Sequence, residues 1–272
     1  MMLPHILTKR ARFSLLLLLS FFLAVNFALS YSTTARASGG GRDENIWYLN
    51  ANGYVDYLYL TLPWYGGEND VLFSSGSVFG QWVQSQAERQ SDGTTRIDFI
   101  ILSTRDSGYA DYFNVYHGVQ SADGQSMHGT FNVYTGSKTY YFPLRKYIYS
   151  YAMAPETHPW AATFVGMQNS SFETGHSWSL TSEGPNGTLD AAPVDALSFG
   201  WAVNQPIIGF IPLPSSCDYC PMYFIRATSR DWTTMEIYQG YGGTTTMYGS
   251  FVEFSGDHSL GYQNDWEATY LR

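Results

Sequence analysis

From Ile46 onward, apolar and polar positions alternate with a period close to two, and Gly, Pro, Asn and Asp interrupt the alternation at short intervals. The pattern predicts strands over Tyr54–Leu62, Val71–Phe79, Arg96–Ser103, Asp111–Tyr116, Gly129–Thr135, Lys138–Phe142 and Tyr147–Met153. Turns are predicted at Ser91-Asp92-Gly93 and at Ser121-Ala122-Asp123-Gly124. Only Gln81–Arg89 carries a pattern open to a short helix, and Ala154–Pro159 reads as a loop. Weaker strand signals follow at Ala162–Met167, Ser177–Thr181 and Leu197–Val203. Pro206–Pro221 reads as a Pro-rich connector, and Trp266–Leu271 as a closing strand. Many short strands without a long amphipathic helix predict an all-β fold, an antiparallel β-sandwich or barrel.

One block of this pattern is written twice. The first copy, at about 98–136, runs from Phe99-Ile100 through Arg105-Asp106 and Tyr116-x-Gly118 to Gly129-Thr130-Phe131. The second, at about 222–256, runs from Phe224-Ile225 through Arg230-Asp231 and Tyr238-x-Gly240 to Gly249-Ser250-Phe251. The copies differ in length only around their corners, where β proteins tolerate insertion. We therefore expect an internally duplicated strand–turn–hairpin unit within one all-β domain spanning 46–272.

The N-terminus has a different character. Lys9, Arg10 and Arg12 precede an apolar run from Phe13 to Leu29, and Ala35-Arg36-Ala37 follows. This is the layout of a cleaved signal peptide over residues 1–37, with 38–45 as a flexible lead-in. It implies a secreted, extracellular or cell-envelope location without a stable membrane span after cleavage. The whole chain carries a formal charge of −9. Residues 1–37 contain four basic residues and no acid, so the mature chain stands at −13. Such a chain repels the phosphate backbone, which argues against nucleic acid as a partner. It suits neutral or cationic ligands. Cys217 and Cys220 are the only cysteines; flanking prolines and strands, with an oxidising compartment, make a small disulfide-closed loop the expected arrangement.

Enzymatic signatures are sparse: there is no Gly-x-Ser-x-Gly elbow, no His-Glu-x-x-His and no phosphate-binding Gly-rich loop. No cofactor or metal is implied, although the spacing of His117 and His128 could bring a two-His pair together across a hairpin. Glu236 and Glu253 are the catalytic candidates, since a glycosidase needs two carboxylates facing one groove. The first copy has Asn114 and Val133 at the aligned positions. Arg105, Asp106, Arg230 and Asp231 admit two readings: a repeated ligand site of donor forks and acceptors, or turn-capping chemistry. Aromatic residues make up 17% of the chain, and Trp232, following Arg230-Asp231 in a corner, is the ring expected to be exposed for ligand stacking. The leading expectation is a non-catalytic protein that binds polysaccharide, cell-surface glycan or another extracellular ligand. A glycoside hydrolase and a structural envelope protein are the alternatives.

Overall fold

A computed structural model of the chain describes residues 41–61, 71–79, 81–102, 109–144, 146–171, 176–194, 197–203, 205–211, 219–243, 245–256 and 258–271. The segment expected to be a signal peptide (residues 1–37), Arg105, Asp106 and Cys217 lie outside them. The first eight strands are β1 Gly41–Ala51, β2 Tyr54–Thr61, β3 Val71–Val78, β4 Gln81–Arg89, β5 Thr95–Leu102, β6 Tyr112–Gln120, β7 Ser126–Tyr141 and β8 Lys146–Ser171. The next eight are β9 His176–Ser182, β10 Gly187–Val194, β11 Leu197–Ala202, β12 Gln205–Phe210, β13 Cys220–Ala227, β14 Thr234–Gly242, β15 Thr246–Ser255 and β16 His258–Tyr270.

β1 to β8 pair in chain order, and β1 pairs back to β8 over Gly41–Ala51, closing an eight-stranded antiparallel barrel. β9 to β16 form a second curled sheet, again in chain order, in which β16 returns to β9 from Trp266↔Ser182 to Tyr270↔Trp178. Of the two architectures expected, the first half is thus a barrel and not a sandwich. An eight-stranded barrel leaves an interior that side chains just fill. Here Trp47, Leu58, Phe99, Tyr116, Phe131 and Trp160 fill it. Trp178, Leu189, Phe224, Tyr238, Phe251 and Trp266 fill the concave side of the second sheet.

The two interiors share one aromatic arrangement. Phe99 stacks on Tyr116 at 4.4 Å and 9°, and Phe224 on Tyr238 at 4.4 Å and 9°. Phe131 and Phe251 continue the stacks, and Trp160 and Trp266 stand edge-on to them. Trp160 Nε1 donates to the His117 carbonyl at 3.1 Å, and Trp266 Nε1 to the Gln239 carbonyl at 3.2 Å. Gly118 faces Gly129, and Gly240 faces Gly249. The glycines are required there: a Cβ on Gly129 would lie 1.9 Å from the His117 carbonyl oxygen.

A third apolar layer lies between the sheets. Ile100, Leu102, Phe113 and Val115 from β5 and β6 pack against Ile225, Met235 and Ile237 from β13 and β14. β5 and β13 are therefore buried on both faces, which is why both read as continuous apolar runs instead of alternating ones. β5 and β6 thus supply one side of the seam, and β13 and β14 the other.

Several predicted elements change, and residues 41–45 of the expected flexible lead-in belong to strand β1. Gln81–Arg89, open to a helix in the sequence, is strand β4: Val83 joins the barrel interior while Gln84 and Gln86 are buried on the opposite face. Ala154–Pro159 is part of β8 and not a loop. β7 and β8 change register between Asn132 and Tyr134, which gives Pro155 a bulge where no ladder donor is needed. Pro206–Phe210, expected as connector, lies within β12, with Pro206 near its start.

Candidate functional site

β7 and β8 run past the barrel as a long hairpin closed by the turn Phe142–Leu144. Direct pairing sets Tyr140 opposite Tyr147, Lys138 opposite Tyr149, and Gly136 opposite Tyr151. Period-two alternation puts Lys138, Tyr140, Tyr147, Tyr149 and Tyr151 on one face. Gly136 leaves room for the Tyr151 ring, which a Cβ would meet at 2.6 Å. Tyr151 is buried in the seam, where its hydroxyl accepts a 2.6 Å hydrogen bond from Gln239 Nε2. The rings become more exposed outward along the hairpin, reaching 44% for Tyr147 and 74% for Phe142 at the turn.

Lys138 is held among these rings. Its Nζ lies 4.3 Å from the centroid of Tyr147, 5.6 Å from Tyr149 and 5.9 Å from Tyr109. These are cation–π distances. Tyr140 stands edge-on to Tyr147 at 5.2 Å, and Tyr109 tilts against Tyr149 at 5.7 Å. Burial, with the neighbouring phenols of Tyr241, Tyr147 and Tyr109, pushes the Tyr149 hydroxyl up to about 12.

Tyr241 carries the row onto the second sheet. It pairs directly with Tyr248 across β14 and β15. Tyr219, 61% exposed, stacks on Tyr241 at 4.3 Å and 10°. The hydrogen bond between Tyr219 and Tyr248 raises the Tyr219 pKa. A band of phenols thus runs from the hairpin tip, past Lys138, to the rim of the second sheet. It offers flat ring faces, hydroxyl donors and acceptors, and one ammonium. Sequence reasoning missed this band because it looked for tryptophans. The available signal was the spacing Lys138-x-Tyr140 and Tyr147-x-Tyr149-x-Tyr151 on two strands joined through Pro143.

The residues nominated from sequence fall elsewhere. Trp232 is not an exposed ring: it is 0% exposed and packs in the seam. It adopts φ of 58°, so the tight corner turns the indole inward. Asp231 caps that corner, accepting from Ser229 Oγ at 2.7 Å and from Thr233 Oγ1 at 2.6 Å. Its other oxygen pairs with Arg96 at 3.2 Å, and Arg230 pairs with Glu88 at 3.1 Å. Both ion pairs join the second sheet to the barrel. Burial raises the Asp231 pKa, but the hydrogen bonds from Thr233, Ser229 and Arg96 outweigh it and hold the carboxyl well below its usual range. The recess beside these pairs, lined by Gln86, Ala87, Glu88, Arg96, Asp98 and Arg230, has room for little more than a water molecule.

Glu236 and Glu253 are directly paired across β14 and β15 and so point to the same face. They occupy the register positions of Asn114 and Val133, which pair across β6 and β7. Their surroundings differ. Glu253 is exposed, whereas Glu236 is buried and accepts from Arg226 at 3.0 Å and from the Tyr238 hydroxyl at 2.6 Å. Arg226 also donates through Nε to the Ala202 carbonyl at 2.8 Å. Glu236 is the counter-ion of a buried arginine. His117 and His128 share a face as diagonal neighbours, but His117 Nδ1 is engaged 2.9 Å from Asp98. Cys220 opens β13, and its expected partner Cys217 lies outside the described residues. Among the described residues, no three His, Cys, Asp or Glu side chains group as metal ligands, and no helix is long and apolar enough to cross a membrane.

No protein-family model, no curated protein and no solved structure matches the chain.

Proposed function

We propose that this is an exported, non-catalytic binding protein that takes up carbohydrate on its tyrosine band. The observation that carries the reading is the band itself: exposed phenols on two sheets, with Lys138 set among Tyr109, Tyr147 and Tyr149. Aromatic faces stack on the apolar faces of pyranose rings, and phenol hydroxyls exchange hydrogen bonds with sugar hydroxyls. A ligand that crosses the hairpin tip and the second sheet would meet Tyr140, Tyr147, Tyr219 and Tyr248 in turn.

Three supporting proposals go with it. The signal-like N-terminus motivates export with cleavage after Ala37, which would leave Ser38 as the first residue of the secreted chain. The matched aromatic stacks and facing glycines motivate an origin by duplication of one β-sheet unit. A Cys217–Cys220 disulfide would fix the loop leading into β13, next to Tyr219. The Arg226 and Tyr238 bonds to Glu236 weigh against the glycosidase alternative.

Affinity electrophoresis in gels containing soluble plant, fungal and bacterial polysaccharides tests the central reading. Retardation of the wild type by at least one polymer, relieved in the combined variant Tyr140→Ala/Tyr147→Ala/Tyr219→Ala, is expected. Free migration of the wild type in every polymer would remove carbohydrate as the ligand.

A further inference from the structure

Lys138 determines what kind of sugar the band should prefer. The arginines of the seam and of the second interior are matched with carboxylates: Arg96 with Asp98 and Asp231, Arg226 with Glu236, and Arg230 with Glu88. Lys138 has no carboxylate within ion-pair distance among the described residues, and its neighbours are Tyr109, Tyr147 and Tyr149. This is notable in a chain that carries 23 acidic residues against 14 basic ones. The rings fix the ammonium without neutralising it. Their hydroxyls add donors beside it, so the surroundings favour an incoming anion bordered by a flat ring.

We propose that the Lys138 ammonium, framed by Tyr147 and Tyr149, is a subsite for the carboxylate of a uronic acid residue in an acidic polysaccharide. This rests on the carbohydrate reading above and names the substrate class for that same site. The pyranose would stack on the exposed Tyr147 ring, and its carboxylate would take a charge-assisted hydrogen bond from Nζ. The acidic character of the whole chain opposes this at long range, but the repulsion is screened beyond roughly 10 Å at moderate salt. The contact to Lys138 is made well inside that distance.

The test is calorimetric titration of the full mature chain with an oligogalacturonate and with a neutral oligosaccharide of the same length and linkage. The uronate is expected to bind about tenfold more tightly, the scale of one hydrogen bond to a charged group. In Lys138→Gln the ratio of the two affinities should fall to about one, and Lys138→Arg should restore the preference. Raising the salt should shrink the ratio in the wild type, a readout that needs no variant. If the wild type binds the neutral sugar and the uronate equally, and Lys138→Gln leaves the ratio unchanged, the subsite is wrong and the carbohydrate reading stands. If neither sugar binds, and the polysaccharide gels show no retardation either, both fail.

Discussion

Asp231 shows how a residue type can be legible while its role is not. An Asp at the end of an apolar strand serves a ligand site or a turn equally well on paper. In space its two oxygens are used separately, one by Ser229 and Thr233 within its own corner and one by Arg96 of the barrel. That second partner could not be read from the sequence, because Arg96 lies 135 residues away. Since the folded pKa is depressed, the unfolded chain binds this proton more readily. The contribution to stability is present above about pH 4 and is lost as the pH falls below it. Wild-type melting temperature should therefore drop more steeply on acidification than that of Asp231→Asn, measured by circular dichroism. Tyr149 has the opposite sign. Its pKa is raised by burial and neighbouring phenols to about 12. Its contribution is present below about pH 10 and is lost as the pH rises through the folded value. Tyr149→Phe should flatten the alkaline loss of stability, and the 295 nm titration should lose one late phenol. Trp232 was misread because an indole after two charged residues in a corner looks solvated. The positive φ that turns it inward is a property of the folded corner.

At the scale of elements, the apolar runs and hairpins were the most legible features. Arg96–Ser103 reads as a strand and Phe224-Ile225 opens the second copy of the block; in the structure Phe99–Leu102 and Phe224–Ala227 are both buried on two faces. The alignment of Glu236 with Asn114 and of Glu253 with Val133 matches the pairings of the two hairpins. β4 was less legible because its buried face toward the second sheet carries Gln84 and Gln86, which look like solvent positions. β8 was broken on paper by Pro155 and Pro159, which the bulge and the pairing with β7 accommodate. The facing glycines give a direct test of the hairpin cores. Gly129→Ala would press a Cβ against the His117 carbonyl oxygen and should cost about 1–3 kcal/mol in denaturant unfolding. Gly166→Ala, with nothing within 4 Å of the added carbon, should leave the midpoint nearly unchanged.

At the scale of the whole molecule, the barrel and the second sheet are joined by an apolar seam with ion pairs bordering it and the tyrosine band reaching from it to solvent. The seam and its ion pairs were not visible in the sequence, because they depend on which outer faces meet, whereas the hairpin part of the band left a trace in the spacing of Lys138, Tyr140, Tyr147 and Tyr149. Two sheets sharing one buried layer should unfold together. Phe113→Ala removes a ring from the middle of that layer and should cost about 3–5 kcal/mol. A single calorimetric transition in the wild type should broaden or split in the variant. Tyr149 packs against that seam, and the phenol of Tyr241 from the other sheet helps to raise its pKa. The measurement that tests the account most directly is migration of residues 38–272 and of the same chain carrying Tyr140→Ala/Tyr147→Ala/Tyr219→Ala through polysaccharide gels. The account predicts a polymer that retards the wild type and releases the variant while both show the same thermal unfolding. Equal retardation of the two folded proteins would contradict it.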